Sequence, residues 1–497
     1  VKAVGRLDTL GASWSFRRMK TLLLLILALL ACEAGARPAL DKPNIIVVFL
    51  DDCGYGFFSH NGHPTIHTPN VTRLAYEGAN FPQFYAASPA CSASRYALLT
   101  GRNPRRSGLG TWVLGPDHAK YIHPDEITLA EGLKQRGYAT GFFGKWHLGT
   151  PNSNNEHSAD AFPLAHGFDT WTGTNVSNDY TNPAVKLIRS NPAGSAPIPG
   201  YEILTDHLAT DIPVHEDLTR RYRDLAVDFI KTNKDQPFLI YLAPNMPHLP
   251  VHAGSDFQGK SAAGLLGDCM EEIDAMAGTL IATLEAEGIA ENTLFILTSD
   301  NGPWIRFENT ESHPLYGEAR LLVGPAHPFR DGKGSTWEGG VRVPGVWYWP
   351  GTIAPRTVVR TPASTLDILP TAFALAGQSL PADRSIDGRD IRTLLNPGVF
   401  PGLVEDFEFI YTGAETNKVC AVRKGPWKLH THLYSQTGKD HGFKASPATP
   451  LLFNVEQDLQ ERIDRRAQQP AIVRELEAIL ETFENSLAAE PSFWGAQ

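Results

Sequence analysis

The chain has 497 residues, 42% of them hydrophobic and 20% charged, with a formal net charge of −10. That length and apolar content suit one large globular core with a smaller unit beside it, and exclude a disordered or fibrous chain. The acidic balance argues against nucleic acid as a partner, although cations clustered inside a pocket can still bind an anion.

The N-terminus has the pattern of an export signal. Arg17, Arg18 and Lys20 precede the apolar run 22–31, and Ala34-Gly35-Ala36 follows as an A-x-A-like cleavage site. The run is too short to cross a bilayer as a helix. It predicts a secreted or periplasmic protein, with Met19 as the start and residues 1–36 lying outside the folded part. Leu29-Leu30-Ala31-Cys32 also resembles a lipoprotein cleavage box, which makes lipid anchoring the alternative. The cysteines do not form a disulfide framework. Cys53, Cys269 and Cys420 read as buried small hydrophobes, with a single bridge among them as the alternative. Asn70-Val71-Thr72 and Asn175-Val176-Ser177 are glycosylation acceptor patterns that matter only in a eukaryotic secretory pathway.

From residue 43 to about 377, strand-like apolar runs alternate with helix-like segments. NIIVVFL over 44–50 is a continuous β-branched run, followed by a helical stretch at 69–78 and a short run at 81–87. A helix opens at Cys91. Residues 127–136 predict a helix and 138–143 a strand; 216–232 predicts a helix and FLIYL over 238–242 a strand. A longer helix at 264–287 precedes the strand TLFIL over 293–297, with a strand at 346–349 and a helix at 366–376 beyond it. Continuous apolar strands separated by helices predict an α/β fold: a mostly parallel sheet sandwiched by helices. The stretch 151–215 is rich in Asn, Pro and Gly with weak periodicity, and reads as a functional insertion. After about residue 402 the pattern changes to short strands at 409–412, 419–423 and 427–430 and a helix at 471–487. These predict a smaller C-terminal α+β domain with a short antiparallel sheet over 402–497, behind a larger domain over 37–401.

Four predicted strands run directly into polar residues. NIIVVFL ends in Asp51-Asp52, YATGFF in Gly-Lys145-Trp-His147, FLIYLA leads to His248, and TLFILTS ends in Asp300-Asn301-Gly302. Ligands of open parallel sheets bind at the carboxyl ends of the strands, so these groups are predicted to share one crevice. Singly, each has a structural reading: paired aspartates as a solvated turn, Asp-Asn-Gly as an ordinary turn, a lone lysine or histidine as a surface or packing residue. Together they supply hard oxygen ligands for Ca²⁺ or Mg²⁺, without the thiolate or multi-histidine pattern of zinc. Cys91-Ser92-Ala93-Ser94-Arg95, trailed by Leu98-Leu99-Thr100-Gly101-Arg102, places one side chain at a helix N-terminus, where unpaired N–H groups favour an anion.

These motifs resemble the type I sulfatases, members of the alkaline phosphatase-like superfamily and here most similar to the arylsulfatase A and N-acetylgalactosamine-6-sulfatase group. Their signature is Cys-x-Pro-Ser-Arg with a trailing Leu-Thr-Gly-Arg; Ala93 stands here in place of the proline. The resemblance spans roughly residues 42–464. It implies that Cys91 is oxidised to formylglycine, whose hydrate is the nucleophile, by a formylglycine-generating or other sulfatase-maturing enzyme. It further implies Asp51, Asp52, Asp300 and Asn301 as metal ligands, with Ca²⁺ favoured over Mg²⁺. Arg95 is implied to hold the formylglycine diol, and Lys145 and Lys333 to bind sulfate oxygens. His147 is implied at the nucleophile's hydroxyl and His248 at the leaving-group oxygen. The implied activity is hydrolysis of aryl sulfates or sulfated carbohydrates. The alternatives are a phosphonate or phosphodiester hydrolase on the same fold, or a non-catalytic sulfated-glycan-binding relative.

Overall fold

A computed structural model describes residues 42–110, 112–116, 118–149, 158–194, 198–305, 326–404, 406–413, 418–435, 443–445 and 449–495. The predicted export signal, with Cys32, lies outside the described residues.

The centre is a ten-stranded mixed sheet. In spatial order it runs Thr357–Val358, Ala79–Asn80, Val346–Tyr348, Thr293–Ser299, Asn44–Leu50, Phe238–Ala243, Ala139–Gly144, Thr170–Thr174, Leu187–Ser190 and Tyr201–Thr205. The strands from Thr293–Ser299 through Thr170–Thr174 pair in parallel, and antiparallel partners flank them on both sides. The five central strands are buried almost throughout, which is why they read as unbroken apolar runs rather than alternating ones. Ile46, Val48 and Leu50 join the core built with helices Pro69–Glu77, Ile212–Asn233 and Gly264–Ala286. The opposite pleat, through Phe49, meets helix Cys91–Thr100, whose Arg95 guanidinium lies 5.7 Å from the Phe49 ring. The sheet is therefore covered on both faces.

The predicted helices form with small shifts at their ends. Ile212–Asn233 begins four residues before the predicted start because Asp211 accepts from Val214 N–H and Pro213 fits the first turn. Leu129–Lys134 carries a capping box between Thr128 and Glu131. The stretch read as an insertion contributes the three strands Thr170–Thr174, Leu187–Ser190 and Tyr201–Thr205 to one side of the main sheet. Among the described residues Cys53, Cys91 and Cys269 are free and buried, and Cys420 is buried as well.

Beyond residue 402, Glu408–Thr412, Val419–Lys424, Trp427–His430 and Leu451–Asn454 form a four-stranded antiparallel sheet covered by helix Pro470–Ala489. A buried charge cluster ties this sheet to the turn at Trp337-Glu338. Lys428 Nζ donates to Glu338 Oε1 at 2.9 Å and lies 3.4 Å from Glu461 Oε1. Glu461 Oε2 accepts from Glu338 N–H at 2.7 Å, and His430 Nε2 sits 2.8 Å from Glu461 Oε1. Tyr85 Oη and Arg342 Nη1 complete the shell of Glu338 at 2.6 and 3.2 Å. Residues Pro43–Gln497 form one compact unit.

Candidate active site

The expected convergence at the strand ends is present. Asp51 and Asp52 leave the end of Asn44–Leu50, and Asp300 and Asn301 leave Thr293–Ser299, its parallel neighbour. Asp52 takes a left-handed backbone (φ 59°), held where its N–H donates to Asp300 Oδ1 at 3.0 Å. Lys145 follows Ala139–Gly144; Gly144 (φ 125°) brings that turn against Ala243 O, which accepts from Lys145 N–H at 2.8 Å. Gly302 packs against the Glu338-Gly339-Gly340 turn so closely that a Cβ there would sit 1.8 Å from Gly339 O. That contact brings the loop of Lys333 onto the Asp300 loop, and Lys333 N–H donates to Pro303 O at 2.9 Å.

Cys91 opens its buried helix with no side-chain cap on the first N–H groups. Its thiol donates to Asp51 Oδ1 at 3.4 Å and lies 3.8 Å from Asp52 Oδ1. Asp51 Oδ2 accepts from Lys145 Nζ at 2.7 Å. Arg95 Nη2 contacts Asp300 Oδ2 at 2.8 Å and Asp51 Oδ1 at 3.3 Å, while its Nη1 donates to Lys145 O at 3.0 Å. Lys333 Nζ reaches both oxygens of Asp52 at 2.9 Å. His248 Nε2 stands 3.4 Å from Asp52 Oδ2. Asn301 Nδ2 donates to Asp52 Oδ1 at 2.7 Å. Every one of these residues is at most 4% exposed. His147, 1% exposed and left-handed (φ 57°), stands apart from the direct contacts but within electrostatic reach of Lys145, Arg95 and Asp51. Ser177 bridges Lys145 Nζ and His248 Nε2, each at 3.2 Å. It lies in the weakly patterned stretch, where the sequence offers no periodic signal for it.

The fields in the cluster are strong. Burial would raise Asp51, but Lys145, His248, Arg95 and Lys333 outweigh it and hold the carboxyl well below its usual range. Asp300 goes the other way, to about 7, through burial first and the Asp51 charge second. Burial also raises the Cys91 thiol, keeping it protonated. His147 and His248 are both pushed down by burial, with Lys145 the next cause for the first and Lys333 for the second, so both rings are neutral.

The donor set fits a hard divalent cation. One ligand atom from each of Asp51, Asp52, Cys91 and His248 lies within 4.8 Å of the others. The protonated thiol is a poor ligand, whereas the carboxylate oxygens of Asp51 and Asp52, and of Asp300 beside them, are of the hard type that such a cation takes. Asn301 Oδ1 is buried without a hydrogen-bond donor, as an oxygen turned to a cation would be. Both ring nitrogens of His147 and Nε of Arg95 are also buried without partners. A cluster this deep with unfilled positions is built to receive a charged group.

A buried cysteine at a helix N-terminus, cationic side chains from separate loops and a cluster of carboxylates able to hold a cation are the groups that hydrolysis of an anionic ester calls for. The sulfatase family profile matches residues 43–378, and that of the C-terminal region of aryl-sulfatase matches 404–496. The chain belongs to the sulfatase family and is a sulfuric ester hydrolase. It is 38% identical to arylsulfatase A of Bos taurus, over 95% of this chain and 94% of that protein. It is 35% identical to N-acetylgalactosamine-6-sulfatase of Mus musculus, over 88% and 85%. Among solved structures, the PsFucS1 sulfatase of Pseudoalteromonas sp. superposes with a TM-score of 0.77 at 26% identity, covering 96% of this chain and 95% of that one.

Proposed function

We propose that this sulfatase hydrolyses sulfate monoesters with an oxidised Cys91 as nucleophile and a Ca²⁺ held by Asp51, Asp52, Asp300 and Asn301. The observation that carries this reading is the convergence of Lys145, Arg95 and Lys333 with three carboxylates around the Cys91 side chain, all buried. The bound cation would neutralise charge on the sulfate oxygens, and the formylglycine hydrate would supply the attacking hydroxyl. Lys145 and Lys333 would bind the remaining sulfate oxygens, and Arg95 would orient the nucleophile. The unpartnered ring of His147 would hold the proton of the attacking hydroxyl. His248 Nδ1–H donates to Leu249 O at 2.6 Å, which turns Nε2 to the crevice; once that nitrogen has taken up a proton with the anionic ester in place, it would pass it to the leaving oxygen. Because Cys91 is fully buried, its maturing enzyme would act on the unfolded chain. The basic and apolar segment at 17–36 would direct export, which N-terminal sequencing of material from the medium or periplasm tests.

The test is sulfate release from 4-nitrophenyl sulfate and monosulfated sugars by protein in which peptide mass spectrometry finds the aldehyde at position 91. Turnover supports the reading. Aldehyde-bearing, calcium-loaded protein that releases no sulfate from any of them refutes it, and turnover of phosphodiesters alone would favour the hydrolase alternative.

A further inference from the structure

Along the rim of the site lie groups that the hydrolysis itself does not use. Ser177 is anchored at Lys145 and His248, and Tyr180 sets its ring edge-on to His147 at 6.3 Å. Asn178 and Asp179 are the residues between those anchors, so each lies within about 8 Å of chain from the catalytic wall. Asn178, 1% exposed, directs its amide N–H to Pro250 O at 3.3 Å, and its Oδ1 is a buried acceptor without a donor. Asp179 Oδ1 is also buried and without a donor. An acceptor left this way costs about 1–3 kcal/mol, so orphans at a site's edge point to a donor that arrives with the ligand.

Trp304 stands edge-on to His248 at 6.1 Å, with Lys333 Nζ 4.7 Å from its ring centroid. Trp304 and Tyr180 both pack against the main core yet remain partly exposed. The rim therefore combines two donor-seeking oxygens with two aromatic rings, one beside His147 and one beside His248 and Lys333.

We propose that Asn178, Asp179, Tyr180 and Trp304 form the subsite for the leaving group, and that this group is a hydroxyl-bearing sugar ring carrying a single sulfate. The inference rests on the sulfatase reading above and deepens it. Asn178 and Asp179 accept hydrogen bonds from the sugar hydroxyls, while the aromatic rings support its C–H face. An aryl or sterol ring brings no O–H donor and leaves both acceptors unfilled. The Asp179 carboxylate repels a second sulfate or a uronate at the same ring.

The experiment compares kcat/KM for 4-nitrophenyl sulfate with kcat/KM for monosulfated methyl glycosides of galactose, glucose and their N-acetylamino forms. Both are measured within one preparation, so that incomplete maturation or folding cancels from the ratio. Wild type is expected to prefer at least one sugar. Asp179→Ala and Asn178→Ala are each expected to lower the sugar-to-aryl ratio by at least about tenfold. Asp179→Asn, which keeps an acceptor oxygen, is expected to restore part of that preference. Trp304→Ala is expected to raise KM on the sugar more than it lowers kcat. A ratio unchanged in both alanine variants overturns the proposal, as does a wild type that prefers the aryl ester to every sugar. Release of no sulfate from either class instead removes the sulfatase reading itself, so the two failures are distinguishable.

Discussion

Around Cys91 the buried carboxylates Asp51, Asp52 and Asp300 meet Lys145, Arg95 and Lys333. At the junction with the C-terminal sheet, Glu338 and Glu461 meet Lys428, Arg342 and His430, with Arg423 beside them at Tyr85. Both clusters draw on segments far apart in sequence, and both are buried. They differ in what is left over. At the junction, among the described residues, no fully buried side-chain nitrogen or oxygen of those six charged residues lacks a partner, whereas around Cys91 Arg95 Nε, Asn301 Oδ1 and both nitrogens of His147 do. A satisfied buried network fixes geometry; one with unfilled positions awaits a ligand.

Substitutions separate the two kinds of cluster. Cys91→Ala is expected to reduce sulfate release on the order of 10⁵-fold, the scale of losing a nucleophile, with no fall in Tm. Lys428→Met is expected to do the reverse. Removing one partner from a buried ion pair costs about 3–5 kcal/mol, read in denaturant unfolding. Activity per folded molecule should persist in that variant, since Lys333 N–H and Gly334 N–H keep their bonds to Pro303 O and Pro89 O. Equal losses of stability at the two sites would break the comparison.

Lys145→Ala and Lys333→Ala should each lower kcat about 10²–10³-fold, the usual loss when one preorganised charge-stabilising donor is removed. Calcium at about a hundred times its Kd should stabilise the protein by about 2.7 kcal/mol through the first cluster, and Lys428→Met should leave that gain intact.

The pH response sharpens the contrast further. Burial alone would raise Glu338, but Lys428, Arg342, Arg423 and the Tyr85 hydrogen bond hold it at about 2, below its ordinary 4.5. Its contribution to stability is therefore complete above pH 4.5 and is lost as the pH falls through the folded value near 2. Acid unfolding followed by circular dichroism should show that dependence in wild type and a shallower one in Glu338→Gln. An identical acid profile in both would contradict the assignment.

Much of this was legible in the sequence, for physical reasons. Strands buried on both faces spell themselves as unbroken runs such as NIIVVFL and TLFILTS, and the polar residues directly after them mark the functional end of the sheet. Lys145, His248 and Asp300 carry that signal, and Cys91 carries a different one, its place at the start of a helix. The strands Thr170–Thr174, Leu187–Ser190 and Tyr201–Thr205 did not, because they are short, include polar residues and form one side of the sheet. The junction cluster was equally silent. Glu338 and Glu461 are 123 positions apart and meet only through folding, and a charge destined for burial looks on the page like any surface charge. Asn178, Asp179 and Trp304 were missed for the same reason, since an orphaned acceptor or an aromatic wall exists only once its neighbours are in place.

Everything proposed for the site depends on Asn301 and the three aspartates holding a cation. Calorimetric titration of chelator-treated protein with Ca²⁺ tests it most directly. The expected result is one ion bound per chain, with affinity reduced at least about tenfold in Asp300→Ala and in Asn301→Ala, the scale set by losing a hard-oxygen ligand or its immediate support. An absence of binding, or equal affinity in both variants and wild type, would contradict it.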